Sequence, residues 1–142
     1  MTTSFIVSPE LLVMGADLYR DRMTVEREKL SARFPRFSLF VGGNGVAFVT
    51  GMLWPNQASG YTVRIDTSAN YPYLMPDVTL PGTTLRPGCP HLYTGQRLCL
   101  MKYDQWQTAF SLAFVVVKTA KWLNKYERWC RTGAWLGKEQ RH

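Results

Sequence analysis

Cys99 is the residue whose type and neighbours best suit nucleophilic chemistry in this chain of 142 residues. Residues 94–96, Thr-Gly-Gln, predict a turn just before it, because glycine tolerates the positive φ of a tight reversal. Leu98 and Leu100 flank the cysteine. In an extended segment these leucines would enter the core while the thiol points the opposite way, so we expect an exposed sulfur that can reach a substrate.

The charge around Cys99 indicates the same chemistry. Arg97 and Lys102 lie on either side of it in the sequence, and cationic neighbours favour the thiolate, the form that attacks carbonyls and thioesters. The alternative is a small buried apolar residue, which is what most unpaired cysteines are. From composition alone this second interpretation is the preferred one.

The composition is typical of one globular domain in a reducing compartment. At 142 residues and 46% hydrophobic content, the chain can bury a core without disulfides or metals. Its three cysteines are an odd number and we find no signal peptide, so we expect reduced thiols in the cytoplasm. The longest uncharged apolar run, residues 109–117, is too short to cross a bilayer, and we expect a soluble protein that does not contact membranes.

The net charge of +7 is concentrated late in the chain, with seven Lys or Arg against two Glu from residue 118 onward. No nucleic-acid-binding motif accompanies these residues, so we do not expect a nucleic acid partner. The basic residues at positions 118, 121, 125 and 128 recur every three or four residues and predict one solvated helix face. Such a face could instead meet an acidic protein, because complementary charge accelerates encounter.

Helix signals come first along the chain. Residues 2–7 carry no clear signal and are interpreted as a loose arm. Ser8, followed by Pro9, predicts a helix start. Thr24 predicts a second N-cap, and Pro35 stops the helix that follows. The sequence leaves open whether the two helices are continuous.

From residue 37 the periodicity changes to the alternation of strands. The four predicted strands form a sequential antiparallel sheet and comprise residues 37–41, 46–53, 61–66 and 77–80. A glycine-rich reversal joins the first two strands. Between the last two, the prolines of residues 71–76 force an extended or turning backbone.

A long C-terminal helix, or a pair of helices, follows the cysteine segment. Trp106 is its predicted start, and apolar residues then recur at spacings of three to six. Residues 114–117, Phe-Val-Val-Val, favour a strand by local propensity, but the run lacks turn residues and continues in a pattern typical of a helix. Residues 131–133, Arg-Thr-Gly, predict the helix end.

This order of elements, together with a set of motifs, resembles the ubiquitin-conjugating enzymes over roughly residues 24–125. The motifs are Tyr71-Pro72 and Pro76 after the third strand, His91 ahead of Gly95, Cys99 between two leucines, and Trp106. The resemblance implies an α+β, UBC-like fold with an N-terminal helix, a four-stranded antiparallel meander, a cysteine loop and C-terminal helices. It implies a single domain over 1–142, with an arm or extra helix at 1–23, a core at 24–125 and a tail at 126–142.

The tail makes the chain similar to the bacterial antiviral-defence branch of that family, the CBASS-associated conjugating enzymes. The residues that carry this likeness are Trp122, Leu123, Tyr126, Glu127, Trp129, Thr132, Gly133 and Trp135. The branch implies a partner, either the C-terminus of a cyclic-nucleotide synthase (CD-NTase) or a ubiquitin-like protein, with or without an activating enzyme. We expect no cofactor and no metal ion.

The resemblance implies that Cys99 takes an acyl group as a thioester and passes it to an acceptor. In the family an asparagine two residues after the histidine donates to the tetrahedral oxyanion. Tyr93 stands there in this chain, its phenol can donate a hydrogen bond, and backbone amides near Cys99 are the other donors considered. The spacing from His91 to Cys99 is shorter than in the family. The matching histidine braces the loop through hydrogen bonds, and His91 is assigned that role.

The family often has an acidic residue near the site, which helps an incoming lysine lose its proton. Asp104 is the nearest candidate in the sequence and Glu127 is a more distant one. Trp106 is interpreted as a packing residue under the cysteine loop.

Two interpretations from other classes remain. Zinc binding through Cys89, His91, Cys99 and Cys130 is disfavoured, because no Cys-x-x-Cys pair exists and the spacings fit no known finger. A protein-binding module that kept the conjugating fold but lost its chemistry is supported by the missing asparagine. The presence of Cys99 opposes this second interpretation.

Overall fold

Alternating apolar residues build a four-stranded antiparallel sheet in the computed structural model, which describes residues 6–136. The strands follow one another in sequence order across the sheet and are β1 Ser38–Val41, β2 Ala47–Leu53, β3 Tyr61–Asp66 and β4 Asp77–Thr79. Inward side chains, among them Val49, Val63 and Ile65, are fully buried. The α+β class and the antiparallel order predicted from the sequence are confirmed.

The sheet approaches the Phe37 side chain closely at one position. Gly51 in β2 pairs with Val63 in β3, and the Phe37 ring lies against the glycine. A Cβ added to Gly51 would come within 2.6 Å of Phe37 Cδ1. Glycine therefore leaves the room that this ring needs, and the ring belongs to the buried core.

The helix signal at Ser8 corresponds to short turns and not to an α-helix. One 3-10 turn spans Pro9–Leu11 and a second spans Gly15–Tyr19. The Ser8 side chain makes no capping hydrogen bond, so the turn that Pro9 begins is not prolonged. Of the predicted loose arm, residues 2–5 lie outside the described part of the chain.

The first α-helix, α1, spans Arg22–Arg33 and is separate from these turns. Its N-cap is Asp21, whose carboxylate accepts from the backbone N–H and the hydroxyl of Thr24, both at 2.9 Å. The prediction of Thr24 as the N-cap is wrong, because an aspartate is an equally good cap and stands three residues earlier. The helix ends ahead of Pro35, as predicted.

The second α-helix, α2, spans the 21 residues Leu112–Thr132. Ser111 caps it by accepting from the Phe114 N–H at 3.1 Å, and Gly133 ends it with a φ of 76°. The predicted helical state of the valine run and the predicted glycine stop are confirmed. Neither α2 nor any other helix between residues 6 and 136 is long and apolar enough to span a membrane.

Trp106 lies in the loop before α2, so the prediction that it opens the helix is wrong. Ser111 is the stronger start signal because its hydroxyl caps the helix. Trp106 packs against the rings of Tyr71 and Phe110, at 6.2 and 5.5 Å between centroids. Its indole N–H donates to the Pro72 carbonyl at 2.8 Å. Trp106 is thus a packing residue, as predicted, and the partners seen here are Tyr71, Pro72 and Phe110.

Glu26 joins α1 to the start of α2 inside the protein. Its carboxylate is completely buried, accepts from the Leu112 N–H at 2.8 Å and pairs with Arg22 at 2.9 Å. The Tyr71 hydroxyl donates a short hydrogen bond to the same carboxylate. Arg22 also donates to the Phe110 carbonyl at 3.0 Å. This network satisfies the first amide of α2 and connects three segments of the chain.

One residue of the predicted basic face is buried. Lys118 has 2% of its surface exposed, whereas Lys121 and Arg128 are exposed. Lys118 stands four residues from both Phe114 and Trp122, which places it on their side of α2. The prediction of a fully solvated face is therefore wrong at this position.

Candidate active site

A short hairpin delivers Cys99 to its place in the fold. Strand β5 (Leu92–Tyr93) pairs antiparallel with β6 (Arg97–Leu98), and Cys99 follows β6 directly. The predicted turn between them is confirmed, with Gly95 and Gln96 at positive φ values of 80° and 62°. The sequence predicted only an irregular segment here, because strands of two residues carry no periodicity.

Cys99 is buried, with 1% of its surface exposed. The prediction of an exposed thiol is wrong because it assumed that extended backbone continues to residue 100. Instead β6 ends at Leu98, the backbone bends, and residues 98–101 are all buried. Period-two alternation does not apply to such a segment. The alternative interpretation, a small buried side chain, describes where the thiol lies in this structure.

Tyr93, in β5, lies near the Cys99 sulfur. Its hydroxyl donates to the Met101 carbonyl at 2.9 Å. The Cys99 sulfur lies 3.8 Å from the same carbonyl oxygen. The structure thus brings together two of the three predicted site residues around one backbone carbonyl.

Burial raises the pKa of the Cys99 thiol, while the hydrogen bond from Tyr93 and the charge of Lys102 lower it, and the net direction is upward. The predicted cationic effect is therefore present at Lys102, but burial outweighs it. Lys102 acts as expected, but the Arg97 guanidinium is directed to Asp77 at 3.0 Å. Burial, followed by the bond to Cys99, also raises the pKa of the Tyr93 phenol, which stays a protonated donor at neutral pH.

His91 is linked to the cysteine segment through its backbone. Its carbonyl oxygen accepts from the Cys99 N–H at 2.9 Å and from the Trp122 indole N–H at 3.2 Å. Its φ of 58° lies in the left-handed region, and its ring centre is 5.0 Å from that of Trp135. The Cys99 amide, one of the backbone amides considered as oxyanion donors, is thus engaged with His91 in this structure.

Sequence reasoning did not connect Trp122 with the cysteine segment. This residue of α2 is fully buried, stacks on Tyr126 at 5.4 Å and meets Trp135 at 5.1 Å between centroids. A tryptophan in the apolar stripe of a helix indicates core packing. The only sequence-level signal for a further role is its indole N–H, which needs a partner once it is buried.

Glu127, in α2, contacts the loop between β2 and β3 and the first residue of β3. One carboxylate oxygen accepts from Asn56 Nδ2 at 2.9 Å. The other accepts a short hydrogen bond from the Tyr61 hydroxyl. Both oxygens are thus committed, and the structure does not support Glu127 as the acidic helper.

Two other carboxylates lie closer to the cysteine segment. Asp104 is exposed in the 3-10 turn Tyr103–Gln105, which follows that segment. Asp77, which the sequence did not suggest, lies at the start of β4 and reaches β6 through its pair with Arg97. The sheet register brings Asp77 there, and no spacing in the sequence signals it.

The remaining cysteines are half-buried thiols. Neither Cys89 nor Cys130 forms a disulfide, and the same is true of Cys99. Burial, followed by the proximity of Cys130, raises the pKa of Cys89 to about 11. Between residues 6 and 136, no group of three or more His, Cys, Asp or Glu side chains is arranged to hold a metal ion. The structure therefore does not assemble the zinc site considered for these cysteines and His91.

Comparison with known proteins places the chain in a family. A search of curated proteins found no match. A family model did match, that of the Type II CBASS E2 proteins, over residues 26–142. The matched region is most of the chain and includes the hairpin, Cys99 and α2. On this match, the chain belongs to the Type II CBASS E2 protein family.

Proposed function

We propose that, within the E2-like role in antiphage defence that its family implies, the chain is a conjugating transferase of UBC-like fold that carries an acyl group on Cys99. The observation that supports this most is the meeting of the Tyr93 hydroxyl and the Cys99 sulfur at the Met101 carbonyl, at 2.9 and 3.8 Å. It provides a donor beside the atom that would react. We propose the cytoplasm as the compartment, because thiols stay reduced there.

The proposed reaction consists of two acyl transfers. The Cys99 thiolate attacks the carbonyl of a thioester on a partner, and a carbon–sulfur bond to Cys99 forms while the partner's carbon–sulfur bond breaks and its thiolate leaves. An amine then attacks the Cys99 thioester. An amide forms, the amine gives up a proton to water or a base, and Cys99 leaves as thiolate. Each transfer passes through a tetrahedral oxyanion.

Tyr93 is the proposed donor to this oxyanion. Its hydroxyl and the Cys99 sulfur contact the same carbonyl oxygen, and the raised pKa of the phenol keeps it protonated. The bond that it now donates to the Met101 carbonyl, at 2.9 Å, would be exchanged for one to the oxyanion. A phenol can exchange this bond by rotating its O–H, whereas the Cys99 amide is fixed in the backbone and bonded to the His91 carbonyl; this supports the phenol as the donor.

The proposed acyl group is the C-terminus of a CD-NTase or of a ubiquitin-like protein. If this C-terminus must first be adenylated, an activating enzyme carries out that step. Other CBASS components are the partners that family membership implies. The exposed basic residues Lys121 and Arg128 of α2 suit an acidic partner surface.

A protein-binding module of the same fold is the second candidate function. The burial of Cys99 and the raised pKa of its thiol both slow nucleophilic attack. Such a protein would bind the same partners without a covalent step. Transfer through Cys99 requires that the sulfur first become exposed.

Cys99→Ser tests the transferase proposal. With a thioester-charged donor, the parent protein should form an adduct that a thiol reductant removes by thioester exchange. Cys99→Ser should form an oxyester that resists the reductant, or no adduct, because a serine oxygen is the poorer nucleophile and leaving group. Intact-mass measurement with and without reductant distinguishes these outcomes.

Cys89→Ser and Cys130→Ser are the matched controls, and both should give the parent's adduct. Equal loss in all three variants would contradict a dedicated nucleophile. A parent protein that forms no adduct with a donor that charges other conjugating enzymes would favour the binding module.

A further inference from the structure

Arg97 connects three segments around the Cys99 sulfur. Its Nη1 donates to Asp77 Oδ1 in β4 at 3.0 Å and to the Tyr103 hydroxyl at 3.3 Å. Its Nε donates to the Thr94 carbonyl in the hairpin turn at 2.7 Å. One side chain thus ties the β5–β6 hairpin to the main sheet and to the 3-10 turn that follows the cysteine segment.

Arg97 contacts the side chains of both Tyr93 and Tyr103. Their rings are 5.0 Å apart at an angle of 31°, and Arg97 Cζ is 5.7 Å from the centre of the Tyr93 ring. Exposure rises outward, since Cys99 is buried, Tyr93 is half-buried and Tyr103 is exposed. Arg97 therefore contacts the Tyr93 ring, whose hydroxyl shares the Met101 carbonyl with the Cys99 sulfur.

The contacts that Arg97 makes are weak enough to break, which would let the hairpin open. The side chains of Arg97 and Asp77 are 33% and 47% exposed. An ion pair as exposed as this one favours a closed state by a factor of only about two to five. The hairpin has strands of two residues each, so few backbone hydrogen bonds oppose its movement.

We propose that Arg97, through Asp77 and Tyr103, is a positioning residue that holds the hairpin closed over Cys99, and that the hairpin moves away before an acyl donor reaches the sulfur. This inference rests on the proposed function, because it explains how a buried cysteine serves as a nucleophile. It predicts that weakening the Arg97 contacts exposes Cys99 even when no partner is present.

The test measures the exposure of Cys99 without any acyl donor. In the full chain carrying Cys89→Ser and Cys130→Ser, Cys99 is the one thiol left for iodoacetamide, and the alkylation rate reports how often the hairpin opens. Asp77→Asn should raise this rate about two- to five-fold. Tyr103→Phe should raise it to a smaller extent, and because it changes no charge, that increase would not arise from a shifted thiol pKa.

Asp66→Asn is the matched control. Asp66 pairs with Arg64 at 3.0 Å on the adjacent strand, with side chains 42% and 41% exposed, and its pair does not involve the hairpin. Its alkylation rate should equal the parent's. Salt at about 1 M, which screens exposed ion pairs, should accelerate the parent and leave Asp77→Asn unchanged. The proposal is overturned if Asp77→Asn reacts no faster than Asp66→Asn.

The proposed function and this inference fail in different ways. Alkylation needs no thioester, so a faster reaction of Asp77→Asn supports the Arg97 role even if Cys99 never carries an acyl group. A parent protein that accepts an acyl group, combined with Asp77→Asn alkylation at the control rate, would refute the Arg97 role and leave the transferase standing.

Discussion

At the scale of single residues, opposing effects set the pKa of the Cys99 thiol. Burial raises its pKa, and the hydrogen bond from Tyr93 and the charge of Lys102 lower it, with burial the larger effect. The thiol is therefore protonated at neutral pH. Its reactivity should rise with pH until the pH passes the raised pKa, because only the thiolate attacks.

Tyr93→Phe removes the hydroxyl and keeps the ring. We expect acyl transfer to slow about a hundred-fold, because one oxyanion donor is lost. We also expect the pKa of Cys99 to rise further, since the hydrogen bond that lowers it is gone. The alkylation profile should accordingly shift to higher pH. Single-turnover transfer and alkylation rates measured against pH check the two effects separately.

Tyr73→Phe is the control for this change, because Tyr73 is 78% exposed and outside the site. It should leave the transfer rate and the pH profile unchanged. Transfer at the parent rate in Tyr93→Phe would exclude its hydroxyl as the oxyanion donor, whatever happens to the thiol pKa.

Only some of the contacts around the Cys99 sulfur can be predicted from the sequence. The turn at Gly95 was predictable from glycine's conformational range. The burial of Cys99 was not, because it depends on a bend after β6 where no periodicity remains. The contact between Trp122 and His91 was not predictable either, since 31 residues separate them and only the packing of α2 brings them together.

At the scale of elements, periodicity predicted the strands better than the helix boundaries. Strands β2 and β3 lie within one residue of their predicted ranges, because one face of each is buried and alternation follows directly. The start of α2 was misplaced because apolar residues from Trp106 to Phe110 resemble a helical turn, although the cap is Ser111. Short polar residues near a helix start compete as caps, and the backbone selects among them.

Gly51→Ala tests how closely Phe37 approaches the sheet. We expect the free energy of unfolding to fall by about 1–3 kcal/mol, because the new methyl group would overlap the buried ring and force it to move. Urea unfolding of the variant and the parent measures the change.

Gly43→Ala is the matched control for this substitution. A Cβ at Gly43 meets no atom within 4 Å, so its stability should stay within about 0.5 kcal/mol of the parent. Similar losses in the two variants would show that the cost comes from backbone preference and not from the Phe37 ring.

At the scale of the whole molecule, the buried network around Glu26 connects parts that are far apart in the sequence. It joins α1 to the first amide of α2 and to the Tyr71 hydroxyl. Burial, followed by the nearby Glu26 carboxylate, raises the pKa of Tyr71, so its hydroxyl stays a donor. The orientation of α2 relative to α1 therefore depends on a charged group in the interior.

Glu26→Ala should lower the free energy of unfolding by about 3–5 kcal/mol, because it leaves Arg22 and the Leu112 amide without their partner inside the protein. Chemical denaturation measures the loss. Glu28→Ala on the same helix is the control: Glu28 pairs with Arg20 at 2.6 Å but is 54% exposed, so we expect a far smaller loss than in Glu26→Ala. Equal losses would mean that the buried network contributes no more than a surface pair.

Two donors share the carbonyl oxygen of His91, one from the cysteine segment and one from α2. Loss of the Trp122 indole would loosen the peptide to which the Cys99 amide is anchored, yet it would remove nothing that a partner could touch, since Trp122 has no exposed surface. In a mutational scan for conjugation, substitutions at position 122 would lower activity in the same way as substitutions on a docking surface. A binding footprint drawn from such a scan would wrongly extend into the interior of the protein.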